Sequence, residues 1–208
     1  GVTAVPRAEG GAFVSWRLLP QDPDGVAFNV YRSGEGGTPE MVNAEPIDDV
    51  TCFVDETLPA GEPATYTVRA VAGGEETGEG EGSFTLDPDH SYISIPLQTP
   101  EGYTPNDASV GDLDGDGAYE LVIHQVGRGR DNSQNGVTTD PIIEGYELDG
   151  SLMWRIDLGR NIREGAHYTQ FIVYDLDGDG RAEVAMKTAD GTRDGAGRFI
   201  GDSTANHV

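Results

Sequence analysis

The chain has 208 residues and carries 37 acidic against 13 basic residues, for a formal net charge of −24 at pH 7. A polyanion of this kind repels nucleic-acid phosphates and acidic lipid headgroups, so we expect neither nucleic acid nor a membrane surface as a partner. The length allows one or two domains, and no apolar stretch approaches the roughly 18 residues that cross a bilayer. The single cysteine, Cys52, excludes an intramolecular disulfide and is predicted to be a small buried apolar residue.

Only one of the basic residues is a lysine, Lys187. A surface rich in acids and poor in lysine is typical of proteins from high-salt environments, where the Debye length shrinks to about 3 Å at 1 M salt. We therefore interpret the composition as halophilic. Metal binding alone does not account for the charge, because two Ca²⁺ ions would add +4 and leave −20. The sequence begins at Gly1 without an initiator methionine or an apolar signal core, so a leader could already have been removed, and the start of the chain says little about secretion.

Residues 1–88 are predicted to form a small antiparallel β-sandwich. Apolar and polar residues alternate in short segments that glycine and proline separate, which is typical of half-buried strands joined by turns. The predicted strands cover residues 12–19, 26–32, 51–55, 65–72 and 82–86. Three aromatic residues on these strands, Trp16, Tyr31 and Tyr66, are expected in the core. No catalytic chemistry is visible in this part, which leaves a structural spacer or a carbohydrate-facing module.

The second predicted domain covers residues 89–208, and its first strand is expected at residues 92–97. This domain contains one acidic sequence twice, starting at Asp112 and at Asp175, an offset of 175 − 112 = 63 residues. Each copy has acids at positions 1, 3, 5 and 9 and glycine at positions 4 and 6. The acids are Asp112, Asp114, Asp116 and Glu120 in the first copy and Asp175, Asp177, Asp179 and Glu183 in the second.

Four carboxylates within nine residues repel one another unless a cation neutralises them. Oxygen ligands favour a hard divalent cation, and Ca²⁺ is the usual occupant. The two glycines permit the positive φ angles that fold a loop around an ion. The backbone carbonyl at position 7, Ala118 or Arg181, would add a ligand. We therefore predict two Ca²⁺ sites, and two copies in register disfavour the alternative of solvated Asp-Gly turns.

The acidic loops differ from EF-hands, which need flanking helices and a glutamate at position 12. This chain has Ile123 and Met186 there, within segments that look like strands. Strand–loop–strand units at this spacing favour the blades of a β-propeller, whose ordinary repeat is about 40–50 residues. We assign the excess to a polar insertion at residues 127–141. Residues 142–156 are predicted to form a hairpin with an Asp-Gly turn at 149–150.

Several segments carry a resemblance to a known family. In the second domain they are residues 106–112, 131–134, 154–163, 165–171 and 186–192, and in the first domain residues 14–19 and 28–32. These segments resemble polysaccharide lyase family 11, the rhamnogalacturonan lyases that cut the pectin backbone. The resemblance covers essentially the whole chain, and the segments around His167 and Lys187 are its most specific part. Residues 58–70 also resemble the tyrosine-corner strand of fibronectin type III domains.

The resemblance implies a fibronectin type III-like β-sandwich followed by an eight-bladed, calcium-rich β-propeller with substrate in its central cleft. The implied reaction is β-elimination at galacturonate in rhamnogalacturonan I. A base removes the proton alpha to the carboxylate, Ca²⁺ or cationic side chains stabilise the enolate-like transition state, and the rhamnosyl oxygen leaves. Residues 89–208 amount to roughly two large blades. We therefore expect a truncated propeller, a catalytic base beyond Val208, and no activity from these 208 residues alone.

Candidate substrate contacts come from the same resemblance. Asn106 is the first, with a turn-forming asparagine as the alternative. The family often has Lys-Trp-Asp where this chain reads His124-Gln125-Val126, so the chain departs from the family at one substrate contact. His167 fits a structural histidine better than a catalytic one. Three basic residues are candidate uronate-binding cations, with ion pairs to nearby acids as the alternative: Arg160, Arg163 and Lys187.

Three further acids are candidate metal ligands. Asp107 follows Asn106 and would add a ligand to the first site. Asp190 and Asp194 each precede a glycine and are candidates for a third Ca²⁺ site, with a surface turn as the alternative. The main rival function is a non-catalytic calcium-binding propeller for adhesion or glycan binding. The acidic loops fit both functions, whereas the segments around His167 and Lys187 favour the lyase.

Overall fold

The computed structural model describes residues 1–19, 22–77 and 82–207. Over these ranges the chain forms β-strands and no helix, which confirms the predicted all-β class. No described segment therefore makes a helix long and apolar enough to cross a bilayer. The chain divides into two compact units, one of residues 1–93 with 114–118 and one of residues 94–113 with 119–208. The domain boundary at residue 88 stays a prediction.

The first unit is built from eight short antiparallel strands. One sheet has the order β1-β2-β5, and the other has the order β4-β3-β6-β7 with β8 also paired to β6. All five predicted strands form, with bounds within three residues of those expected. The strands are β1 (Val2–Pro6), β2 (Ala12–Trp16), β3 (Ala27–Ser33), β4 (Glu40–Met41), β5 (Cys52–Asp55), β6 (Ala64–Ala72), β7 (Glu75–Thr77) and β8 (Ser83–Leu86).

Both sheets of the first unit contribute side chains to one hydrophobic cluster, so they pack face to face as a sandwich. Trp16 and Tyr66 are buried in it as predicted, and the Trp16 ring lies 5.4 Å from that of Phe28. Tyr31 is only half-buried. Cys52 is half-buried as well, against the prediction of a buried residue. The reason is alternation along the strand: Cys52 pairs with Ser15, which points away from the core between buried Val14 and Trp16.

A buried carboxylate ties the two sheets of the first unit together. The Asp55 side chain, 1% exposed, accepts hydrogen bonds from the Tyr66 hydroxyl at 2.8 Å and the Arg32 guanidinium at 2.6 Å. Thr57 donates its amide and its hydroxyl at 2.9 and 2.7 Å. Burial by itself would raise the pKa of Asp55, but these hydrogen bonds outweigh burial and hold that pKa below its ordinary value. Asp55 is therefore charged and fully paired in the folded unit.

The second unit contains a four-stranded antiparallel sheet and a separate hairpin. The sheet runs in the order β12-β11-β10-β9, each strand beside its sequence neighbour, and β13 pairs only with β14. This meander is the arrangement of one propeller blade, although the propeller itself stays a prediction. The strands are β9 (Thr104–Gly111), β10 (Glu120–Val126), β11 (Ile142–Tyr146), β12 (Leu152–Asp157), β13 (Phe171–Tyr174) and β14 (Glu183–Met186).

Two predictions for the second unit have opposite outcomes. The hairpin at residues 142–156 is confirmed as β11 and β12, and the amide of Gly150 closes its turn on the Glu147 carbonyl at 2.9 Å. The strand expected at residues 92–97 does not form. Pro96 has no amide hydrogen to give to a sheet. Instead of joining a ladder, the amide of Gln98 donates to the Tyr146 hydroxyl at 3.0 Å.

Close packing in the second unit requires glycine at two strand positions. A Cβ on Gly111 would lie 2.6 Å from the Ala182 Cβ, and one on Gly145 would lie 2.5 Å from the Trp154 ring. Gly111 therefore lets the β13–β14 hairpin approach β9. The hairpin is further held by a hydrogen bond of 2.6 Å from the Ala182 amide to the Asp112 carbonyl.

Replacing Asp55 tests the polar link within the sandwich. Because the folded pKa of Asp55 lies below the unfolded value of about 3.9, its contribution is present above pH 4 and disappears as pH falls through the folded pKa. We expect Asp55→Asn to lower the free energy of unfolding by roughly 2–3 kcal/mol at pH 7. Denaturant unfolding at several pH values measures the difference between the two proteins, which should shrink below pH 4. A difference that is the same at pH 7 and pH 2.5 would contradict this account.

Candidate functional site

The second acidic loop, Asp175 to Glu183, connects β13 to β14. Backbone amides of this loop donate hydrogen bonds to its own carboxylates. Glu183 accepts a hydrogen bond from the Leu176 amide at 2.8 Å. Asp175 accepts from the amides of Gly178 and Gly180 at 2.7 and 3.0 Å. These glycines have φ angles of +78° and +92°, which other residues rarely adopt. The predicted role of glycine at positions 4 and 6 is therefore confirmed in this copy.

The first acidic loop, Asp112 to Glu120, connects β9 to β10 and repeats one hydrogen bond of the second loop. Glu120 accepts from the Leu113 amide at 2.5 Å, the bond equivalent to that of the second loop. Gly115 and Gly117 have φ angles of +82° and +88°. Two loops 63 residues apart therefore share one conformation, as their sequences predict.

Three of the four predicted acids converge in each loop. Positions 1, 3 and 9 each offer an oxygen within 4.8 Å of the other two. Position 5 points elsewhere: in the first loop, Asp116 accepts from the Ala118 amide at 2.7 Å, and in the second, Asp179 accepts from the Arg181 amide at 2.9 Å. Direct ligation by position 5 and by the carbonyl of position 7 stays a prediction. The converging sets are Asp112, Asp114 and Glu120, and Asp175, Asp177 and Glu183.

The converging oxygens fit a bound cation. Three carboxylates at this separation repel one another, and the Glu120 side chain is only 1% exposed, which weakens screening by water. An all-oxygen donor set is the one that hard divalent cations prefer. The two loops are therefore the candidate metal centres of the chain.

The other candidate metal ligands lie apart from these sets. Asp190 accepts the amide of Asp202 at 3.0 Å and contacts His207 Nε2 at 3.0 Å. Asp194 accepts two amides and pairs with the Arg198 guanidinium at 3.0 Å. Neither belongs to a group of three converging acids, and Asp107 does not join the first loop's group. Asp194 is accounted for by hydrogen bonds within a local turn, whereas Asp190 joins residues 12 and 17 positions further along the chain.

Asn106 and Asp107 lie at an irregularity in the sheet. Ile123 pairs with Ala108 and Gln125 with Pro105, so two residues of β9 stand opposite the single residue His124 of β10. This is a β-bulge, a feature that is over-represented beside active sites because it redirects side chains. Asn106 and Asp107 are consecutive in a strand, yet both are exposed. The bulge therefore presents the predicted substrate contact to solvent.

His124, opposite this bulge, is buried beside a buried glutamate. Its Nε2 lies 3.5 Å from Oε1 of Glu164, and both side chains are almost fully enclosed. Neither ring nitrogen of His124 has a hydrogen-bond partner among the described residues. Glu164 also accepts bonds from the amide of Gly127 at 3.1 Å and from the hydroxyl of Thr139. A carboxylate from outside the insertion thus binds both ends of residues 127–141.

Arg163, a predicted uronate-binding cation, donates its hydrogen bonds to the same insertion. Its guanidinium donates to the carbonyls of Arg130 and Gly136 at 3.1 and 2.9 Å and to that of Gln134 at 2.5 Å. No carboxylate pairs with it in the described ranges, so the alternative of an ion pair is wrong. Together with Glu164, Arg163 holds a segment that has no strands of its own.

His167 and Lys187 are both exposed and have different partners. His167 Nδ1 is 2.7 and 2.8 Å from the two carboxylate oxygens of Asp131, which belongs to the insertion. Lys187 is exposed and places its ammonium 5.7 Å from the centre of the Tyr168 ring. The ion pair between Lys187 and a loop acid, expected as the alternative to substrate binding, is absent among the described residues and was wrong. Arg160 is exposed; burial raises the pKa of Asp140 above its ordinary value, and the nearby charge of Arg160 offsets part of that rise.

Family models match almost the entire chain. The description "Rhamnogalacturonan lyase family 11, C-terminal domain" applies to residues 92–208, and "Rhamnogalacturonan I lyases beta-sheet domain" applies to residues 1–84. The chain belongs to rhamnogalacturonan lyase family 11. This confirms the resemblance seen in the sequence.

Individual members of family 11 are similar over the full chain. The rhamnogalacturonan endolyase YesW of Bacillus subtilis is 51% identical and is matched over 100% of this chain and 33% of its own length. The exolyase YesX of the same organism is 45% identical over 99% of this chain and 34% of its own. The solved structure of the Bacillus licheniformis rhamnogalacturonan lyase PL11 has a TM-score of 0.74 and 47% identity, covering 100% of this chain and 36% of that one. The chain thus spans about a third of the length of these relatives.

A buried polar network in this family 11 chain was not predicted from its sequence. Glu144 is fully buried on β11 and accepts bonds from the Gln125 amide group at 2.7 Å, from the Tyr146 hydroxyl at 2.8 Å and from the Arg155 guanidinium. The sequence offers only a weak signal, a glutamate between apolar residues in a predicted strand. Glu164 lies outside any periodic segment and gave no signal at all.

Removing the Glu164 carboxylate should loosen the insertion. Glu164→Ala leaves the Gly127 amide and the Thr139 hydroxyl without their acceptor and removes the carboxylate beside buried His124, so we expect a loss of roughly 2–4 kcal/mol of local stability. Hydrogen exchange should show amides of residues 127–141 exchanging at least tenfold faster. Glu101→Ala, which removes an exposed acid, is the control. Unchanged exchange in the Glu164 variant would exclude this clamp.

Proposed function

We propose that the complete protein is a secreted, calcium-dependent rhamnogalacturonan lyase that cleaves the rhamnose–galacturonate backbone of rhamnogalacturonan I by β-elimination. The observation that carries the proposal is family membership, since models of two lyase domains together match residues 1–84 and 92–208. It is supported by relatives that are an endolyase and an exolyase and that match 100% and 99% of this chain. The acidic, lysine-poor composition adds the proposal of a high-salt habitat.

The proposed architecture is a fibronectin type III-like sandwich followed by the first blades of an eight-bladed propeller. The sandwich part is supported by the two sheets, of orders β1-β2-β5 and β4-β3-β6-β7, with one shared core. The propeller part is supported by the β9–β12 meander and by the recurrence of strand, acidic loop and strand in β13–β14. In a ring of such sheets, the loops repeat at equivalent places in successive blades.

Calcium is the proposed occupant of both acidic loops. Asp112, Asp114 and Glu120 would hold one ion, and Asp175, Asp177 and Glu183 would hold the other. When bound there, Ca²⁺ supplies positive charge that cancels the mutual repulsion of the carboxylates. The loops themselves fix the ends of the strands they join, through the hydrogen bond that the amide of position 2 donates to the glutamate at position 9. We therefore assign both sites a structural role.

β-Elimination needs a base for the proton alpha to the uronate carboxylate and groups that neutralise this carboxylate as charge develops. Within this chain, Asn106 on the bulge is a proposed hydrogen-bonding contact and Lys187 a proposed cation for the carboxylate. Arg163 is proposed to act by positioning the insertion, because its donors already bind carbonyls. The resemblance implies a base outside these 208 residues, so we expect this part alone to release no unsaturated product.

Activity is tested on the complete protein with rhamnogalacturonan I and Ca²⁺. We expect a rise in ultraviolet absorbance from the unsaturated uronate, no rise with a chelator present, and none on a homopolymer of galacturonate, which lacks the rhamnosyl leaving group. Binding of the polymer without any absorbing product would instead support the non-catalytic, glycan-binding alternative.

Calcium binding is tested by thermal unfolding. At a free Ca²⁺ concentration 100 times the Kd, binding adds about 2.7 kcal/mol to the stability of the folded state. We expect Ca²⁺ to raise the melting temperature and Asp175→Asn with Asp177→Asn to reduce that rise. Asp149→Asn is a matched control, because Asp149 is exposed and also precedes a glycine but lies outside both loops. A rise equal in all three proteins would exclude the second loop as a calcium site.

A further inference from the structure

The insertion at residues 127–141 contains the only Asn-Gly pair of the sequence, Asn135-Gly136. An asparagine can lose its side-chain amide when the backbone nitrogen of the next residue attacks the side-chain carbonyl carbon and closes a five-membered ring. A following glycine favours this ring, because it has no Cβ to restrict the backbone. The other asparagines precede residues that have a side chain: Asn29, Asn43, Asn106, Asn132, Asn161 and Asn206.

The fold leaves both groups of this reaction free. The Asn135 side chain is exposed, and within the described ranges neither this side chain nor the N–H of Gly136 makes a hydrogen bond. Gly136 has a φ angle of +114°, which residues with a Cβ rarely adopt. The space beside it is open, since a Cβ on Gly136 would have one atom within 4 Å apart from its chain neighbours, Nε of Arg130 at 3.9 Å. No described contact therefore holds the nitrogen and the side chain apart.

We propose that Asn135 is a site of spontaneous deamidation whose isoaspartyl product releases the insertion from Arg163. In the first step the Gly136 nitrogen bonds to Cγ of Asn135 and its proton passes to water. The bond from Cγ to the side-chain nitrogen breaks, and ammonia leaves. A water molecule then opens the succinimide ring. Opening at the side-chain carbonyl gives aspartate, whereas opening at the backbone carbonyl gives isoaspartate, in which the main chain runs through Cβ and Cγ.

The guanidinium of Arg163 binds the main chain on both sides of this site. It donates to the carbonyl of Gln134 at 2.5 Å and to that of Gly136 at 2.9 Å. A guanidinium is planar, and its donors form a rigid fork. Isoaspartate lengthens the main chain between the two carbonyls by a methylene group, so the fork no longer fits both of them. Ordinary aspartate leaves the main chain and these hydrogen bonds intact.

The release affects the tip of the insertion and spares its ends. The amide of Gln134 donates to the Asp131 carbonyl at 2.9 Å, and the amide of Asp131 donates to the Gln134 side chain at 3.2 Å. This turn holds Asp131, whose carboxylate contacts His167 Nδ1 at 2.7 Å. The end at Gly127 is bound separately, by the Glu164 carboxylate. Deamidation therefore loosens residues 131–134, one of the segments that carry the family resemblance, while Glu164 keeps its contact.

The first test incubates the complete protein at neutral pH and locates deamidation by mass spectrometry of its peptides. We expect about tenfold more product at Asn135 than at Asn132, an exposed asparagine of the same insertion that precedes serine. The product should include isoaspartate, and its rate of formation should rise with pH because the attacking nitrogen must lose its proton. Asn135→Gln should stay unmodified, because its longer side chain does not form the five-membered ring.

The second test measures hydrogen exchange of the isoaspartyl protein. We expect the Gln134 amide to exchange about tenfold faster than in the parent protein and the Gly127 amide to be unchanged. Freshly prepared Asn135→Asp, which adds the charge without the methylene group, should exchange like the parent.

Two results would overturn the proposal: no more product at Asn135 than at Asn132, or unchanged exchange of the Gln134 amide in the isoaspartyl protein. Neither measurement needs a substrate, so the outcome is independent of whether the complete protein is a lyase.

Discussion

Crowding of carboxylates at two turns is the constraint on which the second unit depends. In each loop, three side-chain oxygens lie within 4.8 Å of one another, which is unfavourable without positive charge. The same carboxylates organise the backbone, because the acid at position 9 accepts the amide of position 2 in both loops. Since position 9 opens the following strand, the geometry of the loop sets where β10 and β14 begin. The same carboxylates therefore both provide the candidate cation site and position the strand that follows.

A second layer of order comes from charges that are buried far from the loops. Glu144 and Glu164 are fully enclosed, and each collects several donors from distant parts of the chain. Leaving any of these donors without its acceptor is costly in a medium of low polarity. Such networks fix one arrangement of the insertion, which has little regular structure of its own.

Local patterns predicted the strands and the loops well, because their signals lie within a few residues. The alternation in β6 and the Asp-Gly turn of the β11–β12 hairpin are examples. Edge strands such as β4 and β7 were missed, because two or three exposed residues are too few to show a periodicity. The strand at residues 92–97 was wrong, because apolar alternation there is opposed by Pro96. Partnerships such as Glu164 with His124 join residues 40 positions apart, and no local pattern encodes them.

The candidate site also has parts that the sequence predicts and parts that it does not. The spacing of the acids predicts the two converging sets directly. It does not predict that the acid at position 5 accepts an amide of its own loop, or that Arg163 donates to backbone carbonyls. Spacing specifies which residues share a loop, but the competition between a ligand and a nearby amide is decided only once the backbone is folded. Lys187 illustrates the converse case, since its availability depends on the absence of an acid that sequence proximity had suggested.

The two tryptophans of the chain fall one in each unit, and their surroundings differ. Trp16 is enclosed in the sandwich core beside Phe28, and Trp154 is half-buried, with its ring against Gly145. Intrinsic fluorescence therefore has a separate reporter in each half of the molecule. Replacing either indole by phenylalanine leaves an emission signal from a single unit, so the order in which the two units melt becomes directly observable.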